Sequence, residues 1–225
     1  MYNRYDLYGP VHKGLRSALS GLCFQTGSID ILSDEQGLKS FLEEFKRVVI
    51  ILEAHAHDED LHLNDPYMQY APETAKRLEE EHQVLDLKLD NIVTMANQLE
   101  QEISSEERRR LWYQLGRDLT RFTAEYFMHL QNEEGPGMDA LWANLTDEQL
   151  HEYSDKIRSS IPPHAMMIFL HYMIPAITHT DRFAMLSGMK RFAPREAYEA
   201  VLRLAENRLD SNSLMELKSA LEAAS

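Results

Sequence analysis

The sequence predicts an all-α protein, an up-down-up-down four-helix bundle followed by a C-terminal helical extension. Three observations carry this. Apolar residues recur at alternating three- and four-residue intervals over long stretches. The nine glycines and eight prolines fall mostly outside those stretches. Capping signals stand where the stretches begin. At 225 residues, 44% hydrophobic and 27% charged, the chain is long enough for one well-buried domain with an appendage.

Helix A opens at Pro10, a favoured first helical residue, and carries Leu15, Leu19 and Leu22; TGSID at 26–30 breaks it. Ser33 and Gln36 form the expected capping box of helix B, over 34–62, with Phe41, Phe45, Val48 and Leu52 facing inward. LNDPYMQYAP at 63–72 is expected as a loop. Pro72 starts helix C, whose stripe reads Leu78, His82, Leu85, Leu89, Ile92, Ala96, Leu99. Ser104 with Glu107 caps helix D, with Leu111, Leu115, Phe122, Tyr126, His129 and Glu133 inward, and GPG at 135–137 should stop it. Short to moderate connections make sequential helices antiparallel neighbours.

Residues 1–145 are therefore assigned to the bundle and 146–225 to the extension. Thr146 and Gln149 cap the first of five further helices, at 147–160, 163–173, 178–191, 194–207 and 211–223, punctuated by Pro162, Pro163, Pro175 and Pro194. AMMIFLHYMIPAI at 165–177 is apolar nearly all round and should be buried, on the bundle, over its end, or in a homodimer interface. No internal repeat or low-complexity tract is visible.

A formal charge of −14 argues against a nucleic-acid backbone or an anionic membrane as partner. The single cysteine, Cys23, fits a reducing cytoplasm. No basic-apolar-small leader opens the sequence, and the most apolar run is too short to span a bilayer. A soluble cytoplasmic protein is expected.

The stripe of helix B ends in His55 and Glu59, and that of helix D in His129 and Glu133. His12 lies at the start of helix A and His82 in the first half of helix C. In an up-down-up-down bundle all four histidines converge on one layer. Burying four imidazoles and two carboxylates without partners costs several kcal/mol or more, an objection that a metal removes. Residues i and i+4 lie about 40° apart around a helix, so each H-x-x-x-E pair can address one ion. Structural zinc prefers four ligands with sulfur, and calcium or magnesium prefers oxygen. Four nitrogens and two carboxylates suit iron or manganese, and suffice for two ions bridged by the carboxylates. Asp86, i+4 from His82, and His62, one turn beyond Glu59, are further candidates. His57 and Asp58 should be solvated, and Tyr126 should be a core tyrosine hydrogen-bonded to a ligand. Glu79-x-x-His82 and Glu148-x-x-His151 match the ferritin-like di-iron spacing, but Glu148 sits in a capped first turn where an acid is favoured anyway. No phosphate-binding loop, dinucleotide fingerprint, H-E-x-x-H or nucleophile elbow is present.

The set His12, His55-x-x-x-Glu59, His82, His129-x-x-x-Glu133 resembles the hemerythrin-like, HHE cation-binding family over about residues 8–140. The resemblance implies a non-haem di-iron centre, with Glu59 and Glu133 bridging and the four histidines as terminal ligands; manganese or a mixed pair also suits the donors. It implies binding of dioxygen or nitric oxide, or a response to iron or redox state. Two departures matter. Oxygen carriers of the family have H-x-x-x-H on the third helix, where Asp86 follows His82 here. They end the fourth helix with H-x-x-x-x-D, where this chain offers Glu133 and Glu134; the i+4 residue is preferred, because i+5 points about 140° away. Reversible oxygen carriage is disfavoured. Sensing and iron handling stay open, and so does an enzyme reducing peroxide, dioxygen or nitric oxide. The extra histidine that iron-sulfur repair proteins carry before helix B's motif is missing between His12 and His55.

Overall fold

A computed structural model describes residues 4–224. Among them the chain forms α1 (Gly9–Ser28), α2 (Glu35–His62), α3 (Asn64–Tyr70), α4 (Pro72–Leu99) and α5 (Ser105–Asn132). A π-helical turn (Glu133–Gly137) leads into α6 (Met138–Asn144) and α7 (Asp147–Ser160). Then follow α8 (Pro163–Ala176), α9 (His179–Phe192), α10 (Arg195–Arg208) and α11 (Ser211–Ala223), with no strand among the described residues. The fold is all-α, as expected. No described helix is long and apolar enough to cross a membrane. Packing groups residues 4–8 with 18–161, and residues 9–17 with 162–224, so α1 contributes to both units.

In the first unit, cross-helix pairs set the directions. Cys23 Sγ lies 3.2 Å from Thr123 Oγ1, and Thr26 lies beside Gly116, so α1 and α5 run antiparallel. Lys88 meets Glu125, and Glu81 meets His129, which makes α4 and α5 antiparallel. Asp60 with His82 and Lys46 with Glu100 do the same for α2 and α4. One half of the interior is wholly apolar: Phe41, Phe45, Val48, Ile92, Leu99, Leu115 and Leu119 are each at most 3% exposed. Phe41 stacks on Phe45 and meets the edge of Trp112 at 4.9 Å between ring centroids. The other end is closed by a second cluster, Tyr8, Leu63, Tyr67, Ala75, Leu78, Met138, Leu141, Leu145 and Leu150. Arg4 pins the segment before α1 to it, donating to Asp147 and to the carbonyls of Trp142 and Leu145.

Four local readings change. Asp34, rather than Ser33, caps α2: its carboxylate accepts from the Gly37 N–H at 2.7 Å, while the Ser33 hydroxyl donates to Asp30. An ionised carboxylate outcompetes a hydroxyl as acceptor. The expected loop at 63–72 contains α3, which buries Pro66 and Tyr67. GPG does not stop the fourth bundle helix. No glycine has positive φ to reverse the chain, and the Met138 N–H reaches back to the Glu133 carbonyl across the wider π turn. Pro175 lies inside the last turn of α8 rather than ending it, and Arg208 donates to the His171 carbonyl that a proline cannot serve.

In the second unit α10 packs on α8 and α9, and α11 on α9. Leu170, Ile174, Leu186, Val201, Ala205, Leu217 and Leu221 form its core. Gly14 admits Met173: a Cβ there would come within 2.9 Å of the methionine Cγ. Lys13 pairs with Asp181 at 3.3 Å. The helices from α7 onward begin at Asp147, Pro163, His179, Arg195 and Ser211, a constant interval of 16 residues. This is a repeat of element length, invisible in the sequence because Thr146, Pro162, Thr178, Pro194 and Asp210 begin the helices by different chemistry.

Candidate metal centre

At the polar end of the bundle, α2 delivers His55 and Glu59, one turn apart and each 7% exposed. From α4 comes His82, and the end of α5 supplies His129; the π turn opens with Glu133, 1% exposed. Glu59, His82, His129 and Glu133 each bring a donor atom within 4.8 Å of the others, all buried. His129 Nε2 lies 2.9 Å from Glu133 Oε1, and His82 Nε2 lies 3.8 Å from the same oxygen. Glu59 stands between His55 Nε2 and His82 Nε2, at 3.5 Å from each. The rings of His82 and His129 meet edge to face at 4.5 Å.

The outer nitrogens of two of these rings are already engaged. His82 Nδ1 lies 3.2 Å from Asp60, and His129 Nδ1 lies 2.9 Å from Glu81, which also accepts from Asn132. A histidine that donates Nδ1–H to a carboxylate holds the tautomer with its Nε2 lone pair inward, the arrangement that metal-binding histidines use. Inward, those Nε2 atoms face carboxylate oxygens, so acceptor would face acceptor. Both Glu59 oxygens and His82 Nε2 are buried with no hydrogen-bond partner. Such atoms cost about 1–3 kcal/mol each unless something positive lies among them. The donor set thus fits a cation.

Protons stand in for it in the bare protein. Burial, then the Glu133 charge, pushes Glu59 up to about 8, with His82 and His129 pulling it partway back. Burial lowers His82, but Asp60, Glu59 and Glu133 outweigh it and raise it to about 11. His129 moves upward too: burial again opposes, and Glu133 prevails.

A cavity of about 270 Å³ adjoins the cluster, lined by Glu59, His82 and Glu133 on one side and by Tyr8, Tyr67, Leu63, Ala75 and Leu78 on another. Its rim carries the exposed Asp60, Asn64 and Glu79. Tyr8 and Tyr67 share a buried hydroxyl–hydroxyl hydrogen bond of 2.7 Å. Burial, reinforced by Glu59 and Glu133, holds both phenols protonated.

His12, at the start of α1, is fully buried and belongs to the stretch that groups with α8–α11. Asp86 is exposed, Glu134 accepts from Gln131, and half-buried His62 bonds Ser160; none belongs to the buried cluster in the first unit. Asp58 is not solvated: it is 4% exposed and accepts from the Ser160 hydroxyl. Tyr126 is a buried core residue 6.0 Å from the His129 ring. Glu148 is exposed in a capped first turn, and His151 packs on Tyr5. Asp60, Glu81, Tyr8 and Tyr67 went unread, because each acts on a residue of another helix or segment.

Residues 5–136 match the family model described as hemerythrin HHE cation binding domain. No curated protein and no solved structure matches the chain significantly.

Proposed function

Because the chain belongs to the hemerythrin HHE cation-binding family, we propose that it is a non-haem di-iron protein that binds dioxygen or nitric oxide, or senses iron or redox state. Glu59 and Glu133 would supply the carboxylates that hold the two ions, and His12, His55, His82 and His129 the nitrogens. The observation that carries this reading is the pair of oriented imidazoles. Nδ1 of His82 and of His129 is held by Asp60 and Glu81, leaving each Nε2 facing buried carboxylates. When bound, iron would supply the affinity for a small diatomic molecule and the capacity for redox change. The chain's own part is to present these donors at a cavity that Leu63, Ala75 and Leu78 wall with apolar side chains and that Tyr8 and Tyr67 also line. With one cysteine, the chain suits a reducing cytoplasm.

The donor set also suits manganese or a mixed pair. A second reading, an enzyme reducing peroxide, dioxygen or nitric oxide, is favoured by the exposed acidic rim of the cavity, a route for solvent and products. Elemental analysis with an aerobic visible spectrum tests the first reading. About two irons per chain are expected by the family's pattern of bridging carboxylates, with absorption lost in Glu59→Ala. A protein that takes up no ferrous iron anaerobically would sink it. Catalytic consumption of peroxide, dioxygen or nitric oxide, against binding without turnover, decides between the two readings.

A further inference from the structure

The cavity beside the cluster is lined by four carboxylates, Glu59, Asp60, Glu79 and Glu133, and by no lysine or arginine. Several surface acids elsewhere on the bundle meet a base: Glu100 meets Lys46, Glu44 meets Arg47, Glu125 meets Lys88 and Glu107 meets Arg110. The run Glu79-Glu80-Glu81 on α4 shows locally why the cavity differs. Residues four apart on a helix are neighbours, and Glu80 faces Lys76 while Glu81 faces Arg77, each at 3.9 Å. Four positions before Glu79 stands Ala75, which is buried and lines the cavity. Glu79 therefore lines the mouth with no ion-pair partner among the described residues. Asp60 gives one oxygen to His82 Nδ1 at 3.2 Å, and its side chain is 65% exposed. Asn64, four residues on, adds an exposed amide. Away from the mouth the lining becomes buried: both Glu59 oxygens and His82 Nε2 are closed to solvent with no hydrogen-bond partner.

We propose that Glu79, with Asp60 and Asn64, forms the entrance through which a hydrated divalent cation, ferrous iron on the di-iron reading above, reaches Glu59. The inference rests on that reading. Carboxylate and amide oxygens take the place of water around a divalent ion. The exposed oxygens of the mouth receive the ion while it is still hydrated, and the buried donors complete its removal from water. A cleft lined by one sign of charge between low-dielectric walls raises the entry rate of the opposite ion by about 10- to 1,000-fold. Leu63, Ala75 and Leu78 are such walls here. Glu79 acts on the passage of the ion and not on its final coordination. The Glu79-x-x-His82 spacing thus serves a use other than the ferritin-like one: the histidine is buried with the cluster, and the glutamate stays exposed at the mouth.

The test follows anaerobic uptake of ferrous ion by the metal-free full chain, release of loaded iron to a chelator, and final iron per chain. At low ionic strength Glu79→Gln should slow uptake about tenfold and Glu79→Lys about a hundredfold, with native iron content reached in both. Asn64→Asp adds a carboxylate to the mouth and should speed uptake about threefold. Glu80→Gln removes the same charge one residue away, outside the cavity, and should change the rate by less than about twofold. Asp60 is kept throughout, because it also holds His82 Nδ1. Salt should slow the native protein toward the Glu79→Gln rate, since the screening length shrinks to about 3 Å at 1 M. Release separates passage from coordination: losing part of a passage slows it, whereas losing a ligand speeds it. Slow uptake with slow release in Glu79→Gln supports the proposal. Native uptake rates in both Glu79→Gln and Asn64→Asp, or an equal effect of Glu80→Gln, would overturn it and leave the di-iron reading standing. Faster release with lower iron content in Glu79→Gln would also overturn it, by making Glu79 a ligand. A native protein that takes up no iron would remove the di-iron reading, and this inference with it.

Discussion

The two ends of the bundle are built on the same helices and obey different physics. Around Phe41, Phe45 and Trp112, α2 and α5 bury apolar side chains whose contacts are complete without anything added. Three turns further along α2, the same inward stripe buries His55 and Glu59 against His82, His129 and Glu133. Hydrophobic burial is non-directional and satisfied by contact alone. A buried carboxylate is satisfied only by a donor or a cation aimed at it. The apolar end holds the molecule together, while the polar end is stable to the degree that something positive enters it.

The largest effect expected from breaking this contrast is at the polar end. Glu59→Ala removes the oxygens that face His55 and His82, and should abolish iron uptake in a metal-content assay while the metal-free chain stays folded. Next comes the apolar end. Phe41→Ala, at a position with no exposure, should cost about 3–5 kcal/mol in denaturant unfolding. That cost should be the same with and without metal; a metal-dependent difference would mean that the two ends are coupled.

A smaller effect is expected one residue removed from the cluster. Glu81→Gln weakens the grip on His129 Nδ1 and should lower metal affinity roughly 10–100-fold, with the metal-free stability little changed. Competition with a chelator measures it.

The pH dependence of the bare protein sharpens the same comparison. Folded Glu59 keeps its proton up to about 8, whereas the unfolded carboxyl loses it at ordinary values. Between those limits the folded state binds more protons, so stability falls as pH rises. His82, raised to about 11, acts in the same direction: its stabilisation is complete below the ordinary imidazole range and is lost toward 11. Unfolding midpoints of metal-free protein should therefore decline from mildly acid to alkaline pH. Iron should flatten the profile, because it replaces those protons. A rise in metal-free stability with pH over this range would refute the protonation pattern. The smallest effect lies outside the bundle's interior. Thr146→Ala, at the capping box of α7, should cost about 1 kcal/mol and leave metal content untouched.

Much of this was legible in the sequence for a simple reason. Helix periodicity is a property of one segment, and Leu78 through Leu99 or Leu111 through Glu133 declare their inward faces without any partner. Pro72, Ser104 and Thr146 mark helix starts by local chemistry. The readings that changed were those decided by competition. Asp34 displaced Ser33 because an ionised acceptor stood one residue away. GPG stayed helical because the wider π turn paired the Met138 N–H with the Glu133 carbonyl. Asp58 became buried because Ser160, far along the chain, came to it.

By itself, then, the amino-acid sequence determined the helices, their inward stripes, and the burial of His55, Glu59, His82, His129 and Glu133. Period and residue type are local quantities. Only the tertiary structure decided that Asp60 and Glu81 orient two of the imidazoles, and that Tyr8 reaches Tyr67 across 59 positions. It also decided that Gly137 clears the space for the Tyr67 hydroxyl. Those pairings depend on the rotation and register of one helix against another. A hydrogen bond is made or lost within a few tenths of an ångström, far finer than any periodicity can specify.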